Sequence, residues 1–186
     1  MAMIRMLAQL ELIYPVSKAL FAEIYKIAKF TSVANNRHIS SPLSFEKRFI
    51  YIDNGVCQIA RKIGTKLITI RLIDRGSFIA HEAMSAQAGY IQSIGPVEFI
   101  SIPAVVLDRL AVTDKSTNII LSVLMQRELA EMNLSIITCS IKPTRKRLDY
   151  FRANQPIFED SIPLKYIASY LGMRLETLIR LRKCYT

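Results

Sequence analysis

A chain of 186 residues, 51% of them hydrophobic, is long enough to bury a substantial core as one domain or two small ones. It contains no uninterrupted apolar run near the ~20 residues of a membrane helix, and its three widely spaced cysteines (Cys57, Cys139, Cys184) suit a reducing cytoplasm better than a disulfide framework. The net charge is +10, and residues 142–186 hold 10 Lys and Arg against 4 Asp and Glu, so more than half of the excess sits in the last quarter. That concentration fits either a solvated basic surface or a polyanionic partner for that end.

The opening "MAMIRMLAQLELIYP" is apolar but carries Arg5 and Glu11 and lacks a small-residue cleavage site, which argues against a secretory signal. Residues 15–30 place Leu20, Ile24, Ile27 and Ala28 on one helical face after Pro15 and Ser17. From about 36 to 102 short β-like runs alternate with turn residues. "RFIYID" meets "VCQIARKI" across Asn54-Gly55, a strong hairpin signal. "ARKI" meets "KLITIRLI" across Gly64-Thr65, and Gly95-Pro96 separates "AGYIQSI" from "VEFISI". This spacing predicts a small barrel or sandwich.

After Pro103 the pattern turns helical: "PAVVLDRLA" is a short helix, and 114–137 a long one capped by Asp114 or Ser116. Its stripe of Leu121, Met125, Leu129, Met132 and Ile136 either packs along the barrel or pairs with a second copy. A joint is expected near 138–144, where Pro143 interrupts helix. "KPTRKRLDYFRANQ" follows as a helix with Leu148 and Phe151 inward and Arg145, Lys146, Arg147 and Arg152 largely outward.

The tail, 161–186, holds two short amphipathic segments joined at Gly172, a residue that can take the positive φ needed to end a helix and turn sharply. Ile167, Ala168 and Leu171 share one face, small Ala168 permits close helix approach, and Leu178 plugs the angle. This is the construction of a helix-turn-helix whose second helix fits the major groove. Arginine there bridges guanine O6 and N7, and glutamate accepts from cytosine N4. Lys165, Arg174, Arg182 and Lys183 suit phosphates.

"IPLKYIASYLGMRLETLIRLRK" closely resembles the C-terminal end of bacterial Crp/Fnr-type transcription regulators, in which "IASYLG" is followed by "ETLSRIRK". Glu176 and Arg180 match the base-reading Glu and Arg of that family, whereas Ile179 replaces a serine that often faces DNA. "FIYIDNGVCQIAR" and "DRGSFIA" are similar to segments of the family's cyclic-nucleotide-binding-type β-roll. The resemblance implies an α+β fold with three parts: a β-roll sensor of jelly-roll type (1–113), a long dimerisation helix (114–137) and a DNA-binding tail (138–186). It also implies a cytoplasmic homodimer on a palindromic operator, working with RNA polymerase. Lys165, Ser169, Arg174, Glu176, Thr177, Arg180, Arg182 and Lys183 would then face DNA.

Cyclic-nucleotide-binding members follow the β-roll motif with a glutamate for the ribose hydroxyl and an Arg-Ser or Arg-Thr pair for the phosphate. Here the segment around Gly76, Phe78 and Ile79 leads into Ala80, His81 and Glu82 and then Gln87 and Ala88. No arginine lies between Arg75 and Arg109. Losing the charged partner of a buried phosphate costs on the order of 10³-fold in affinity, so cyclic AMP is not the expected ligand; another small effector, or a vestigial pocket, is. His81-Glu82 has only His38 as a second histidine in the chain and reads as a polar loop pair, not a metal site. The cysteines lack the clustering of an iron–sulfur centre. No nucleophile–base constellation or phosphate-binding loop supports an enzyme. A rival reading is a ligand-binding or interaction module of this fold that has lost specific DNA binding.

Overall fold

The computed structural model describes residues 1–40, 47–79 and 89–183. Among them lie eight helices: α1 (Ala2–Glu11), α2 (Lys18–Ile27), α3 (Ala104–Thr113), α4 (Lys115–Ser140), α5 (Thr144–Asn154), α6 (Ile157–Ser161), α7 (Leu164–Tyr170) and α8 (Leu175–Lys183). Six strands form one antiparallel sheet: β1 (Lys29–Val33), β2 (His38–Ser40), β3 (Arg48–Ile63), β4 (Lys66–Ile73), β5 (Phe78–Ile79) and β6 (Tyr90–Pro103). The expected α+β class is the one observed.

The sequence expectation fails at Asn54-Gly55, which is no hairpin. β3 runs through it as one 16-residue strand, and β6 runs equally unbroken through Gly95-Pro96. The two pair along most of their length, with register shifts beside Asn54. Between the pairs Ile52–Phe99 and Cys57–Ser93, five steps along β3 match six along β6. A local slip of this kind bends a strand and exchanges its faces. Ile50 and Ile52 before the bend, and Cys57 and Ile59 after it, therefore enter the same interior with Ile73, Ile91, Val97 and Phe99. Gly55 sits at the bend with φ 91°, and its own backbone approaches the Pro96 carbonyl closely. The glycine that signals a turn in the sequence serves a bulge in the fold.

The Gly64-Thr65 connection is a turn as expected, pairing Ile63 with Lys66. Along the first half of β3 the alternate residues Phe49 and Tyr51 face outward, joining Ile100 and Ile102 against Met6, Leu10, Leu20, Ile24, Leu107, Ile120 and Leu124 of the helices. Helix α1, seen in sequence only as an apolar opening, completes this second core. Ser17 caps α2 by accepting from the Leu20 amide at 3.0 Å, and Asp114 caps α4 by accepting from Thr117 N at 2.8 Å. The Ser17 hydroxyl also donates to Asp114 (2.9 Å), tying the two helix starts together.

Arg5 of α1 grips the buried Asp53 carboxylate with both Nε (2.7 Å) and Nη2 (2.5 Å). These hydrogen bonds hold the Asp53 carboxyl below the usual carboxylate range against the opposing effect of burial. A carboxylate depressed on folding adds stability above its unfolded pKa of ~3.9, and that stability is lost as pH falls through the lower folded value. Arg5→Ala is accordingly expected to lower the thermal midpoint at pH 7, with the deficit against wild type shrinking below about pH 4. Melting curves across that range would show it, and a deficit independent of pH would assign the loss to packing alone.

Candidate nucleic-acid interface

Helices α5 to α8 form a helical unit around Leu148, Phe151, Phe158, Ile162, Ile167, Ala168, Tyr170, Leu171 and Leu178. Leu178 is completely buried between α7 and α8, and Leu181 packs against the same cluster. The turn between them follows from Gly172, whose φ of 59° closes α7 while the Met173 amide donates back to Ala168 O at 3.0 Å. Arg147, expected outward, instead fastens this turn: its Nη1 donates to Leu171 O (2.6 Å) and its Nε to Ile141 O (3.1 Å).

The unit is docked on its neighbours. Leu72 of β4 and Ile94 of β6 belong to its apolar cluster. The Tyr170 hydroxyl lies 3.2 Å from Ser135 Oγ on α4, and Cys139 Sγ donates to Tyr170 O (3.2 Å). Burial raises the Cys139 thiol pKa, and pushes that of fully buried Cys57 up to about 12. Both thiols are therefore protonated at neutral pH.

On α8, Glu176 and Arg180 are exposed on one side, Thr177 is half-buried, and Lys183 is exposed at the end; Arg174, just before the helix, is exposed as well. Glu176 in the first turn and the basic residues in the last complement the helix dipole. Lys165 on α7 is exposed, its Nζ 4.9 Å from the centre of the Tyr166 ring. Ile179 stands on the outer surface of α8, 38% exposed.

Two residues expected at DNA are engaged elsewhere. Ser169 Oγ accepts from the Thr69 amide of β4 at 2.9 Å, so it faces the sheet. Arg182 donates to Glu159 O (3.0 Å) and to Asp160 Oδ1 (3.1 Å) of α6. Arg152, also expected outward, bridges to Glu159 Oε1 at 2.6 Å. The acidic pair Glu159-Asp160, which precedes α7 by only a few residues, was the available signal for this clamp.

Of the expected ligand segment, Gly76 makes the turn before β5 with φ 85° and donates to Ile52 O at 2.8 Å. Phe78 packs with its ring tilted against those of Phe49 and Tyr51, and Ile79 is buried in the roll. Ala80, His81, Glu82, Gln87 and Ala88 lie outside the described residues, as does Cys184. The stripe on α4 divides. Leu121 and Met125 pack within the chain's own helical core, whereas Leu129 (60%) and Ile136 (63%) are exposed together with Met132 and Ile137. Ile137 extends the apolar face beyond the residues named from the sequence. No helix among the described residues is long and apolar enough to cross a membrane.

No family model matches the chain, and no curated protein matches it in sequence. Solved structures do match in fold. FixK2 from Bradyrhizobium japonicum superposes with a TM-score of 0.74 at 14% identity, covering 84% of this chain and 83% of that one. The c-di-GMP responsive global regulator CLP of Xanthomonas campestris gives 0.65 at 11% identity, with 91% of each chain covered. A CRP-family transcriptional regulator from Thermus thermophilus gives 0.64 at 12% identity, with 82% of each covered. The neighbours include Crp/Fnr-type regulators, so the fold is the one such regulators use.

Proposed function

We propose that the chain is a homodimeric, cytoplasmic transcription regulator of Crp/Fnr type that reads DNA with α8. The observation that carries this reading is the seating of α8. Leu178 locks the helix into the unit below while Glu176 and Arg180, one turn apart, stand exposed on the opposite side, and Arg174 is exposed just before the first turn. Fixed geometry beneath and open polar groups above are what direct readout in a major groove requires. Arg180 and Glu176 specify bases; Arg174, Lys165 and Lys183 position the helix on phosphates, with Thr177 at the edge of the contact.

The exposed apolar half of α4 pairs with the same face of a second copy, placing two α8 helices about 34 Å apart on a palindromic site. RNA polymerase is the partner expected at such an operator. Cyclic AMP is not the effector, since the cassette lacks the arginine that a buried phosphate needs.

Selection of sequences from a random DNA pool by the purified protein tests this reading. A palindromic motif is expected, and Arg180→Ala should cost about 1–3 kcal/mol on it and relax preference at one base position of each half-site. Unchanged preference in the variant would remove Arg180 from base reading. Failure to enrich any motif would favour the rival module that no longer reads DNA, a reading supported by Ile179 on the outer face and by the engagement of Ser169 and Arg182 within the chain.

A further inference from the structure

We propose that the cavity where β4, α4 and the α5–α6 corner meet binds a small zwitterion of the α-amino acid class. The cavity measures about 340 Å³, at the small end of the roughly 300–1,000 Å³ usual for ligand pockets. One wall is Arg71 with the β4–β5 turn, a second is α4 through Arg127, Glu128 and Glu131, and a third is Asn154 to Phe158.

Two buried polar atoms on these walls lack hydrogen-bond partners, and they are of opposite kind. Arg71 is 6% exposed; its Nη1 donates to Glu128 Oε1 at 2.6 Å, but its Nε has no acceptor. Gln155 is 7% exposed, and its Oε1 has no donor. Buried groups of this sort are normally satisfied, because each gave up water on folding. A carboxylate taken side-on by the remaining edge of the guanidinium satisfies the first. An ammonium N–H satisfies the second.

The charge around the cavity points the same way. Arg71 and Arg127 stand against Asp74, Glu128 and Glu131. A phosphate ester would bring negative charge toward three carboxylates, with one of the two guanidiniums already paired. A wholly apolar ligand would strip water from charged walls and return nothing. A molecule carrying one charge of each sign is complementary to both, and Phe78, Leu134 and Ile157 offer apolar surface for its side chain.

The cavity shares Gly76 and Phe78 with the segment expected from the sequence to meet a ligand. Its three walls come from the sheet, the long helix and the helical unit, so an occupant fixes their mutual positions. Its role as an effector site rests on the DNA-binding reading above, whereas ligand binding itself does not.

Calorimetry and thermal shift of the full chain against the twenty L-amino acids, with cyclic AMP and cyclic di-GMP as comparators, provide the test. At least one amino acid should raise the melting temperature and bind more tightly than about 1 mM, and Gln155→Leu and Arg127→Gln should each weaken it about tenfold or more. Arg71 is left intact, since its loss would remove the 2.6 Å ion-pair partner of the buried Glu128 carboxylate and compromise folding. The proposal is overturned if no amino acid binds, if binding is the same in both variants, or if a nucleotide occupies the cavity in their place. Repeating the DNA selection with the bound amino acid separates the two ideas. Amino acid binding without any selected DNA motif sinks the regulator reading and leaves the site standing, whereas a motif without amino acid binding does the reverse.

Discussion

Gly55→Ala is expected to destabilise the protein by about 3–5 kcal/mol, a large fraction of the ~5–15 kcal/mol that holds a typical domain folded. Two effects add at this position. The backbone holds φ at 91°, where an L side chain carries roughly 1–3 kcal/mol of strain. A Cβ would also sit 2.3 Å from the Pro96 carbonyl oxygen, and that oxygen belongs to a strand paired on both sides of the bend, so it cannot move aside cheaply. Gly64→Ala is the matched control: its φ is 60°, but nothing lies within 4 Å of the added carbon, and a cost near 1–2 kcal/mol is expected. Urea unfolding of the two variants side by side would measure the difference. Equal losses would mean that the close approach of the two bent strands is not needed to hold the roll.

The double variant Leu129→Glu/Ile136→Glu is expected to convert a dimer to a monomer and to lower affinity for a palindromic site by roughly 100-fold or more. In a two-fold pairing of α4 helices each new carboxylate opposes its symmetry mate across an apolar seam, at a cost of several kcal/mol. Both side chains are exposed in the single chain, so monomer stability should change by only about 0.5 kcal/mol. Sedimentation equilibrium alongside a thermal melt reads the two quantities separately. A dimer that persists with an unchanged melt would show that the copies meet on some other surface, and a lowered melt would place these residues in the folded core.

Periodic signals in the sequence proved the most legible. Asp114 followed by a long helical run is a helix with that cap, and the Gly172 junction with Leu178 beneath it is a tightly packed turn. Both depend on neighbours within about one helical turn, which is the range over which a sequence speaks for itself. Asn54-Gly55 was misread because a positive-φ glycine signals a turn or a bulge equally well. What decides is Gly95-Pro96 on β6, about 40 residues away, where the partner strand has its own irregularity. The stripe on α4 was legible as a stripe, but its division into an inward half and an outward half depends on how far α1 and α2 extend along the helix. Similarly, nothing near Ser169 or Arg182 announces that Thr69 and the Glu159-Asp160 pair will claim them. Side chains chosen for DNA from their type alone are partly consumed by tertiary partners.

The hydrogen bond from Thr69 to Ser169 bears on more than the placement of α7. Among the described residues β4 ends the sheet on one side, paired with β3 alone, and Leu67, Ile68 and Ile70 along it are exposed. A bare strand edge with apolar side chains is adhesive toward any other extended chain, because its amides and carbonyls seek a partner ladder. Here α7 lies against β4, Ser169 answers one of its outward amides, and Leu72 is drawn into the helical unit. The helical unit thus guards the sheet against self-association. Any swing of that unit away from the sheet would lift the guard, so the freedom of the unit to move and the risk of aggregation are set by the same contact.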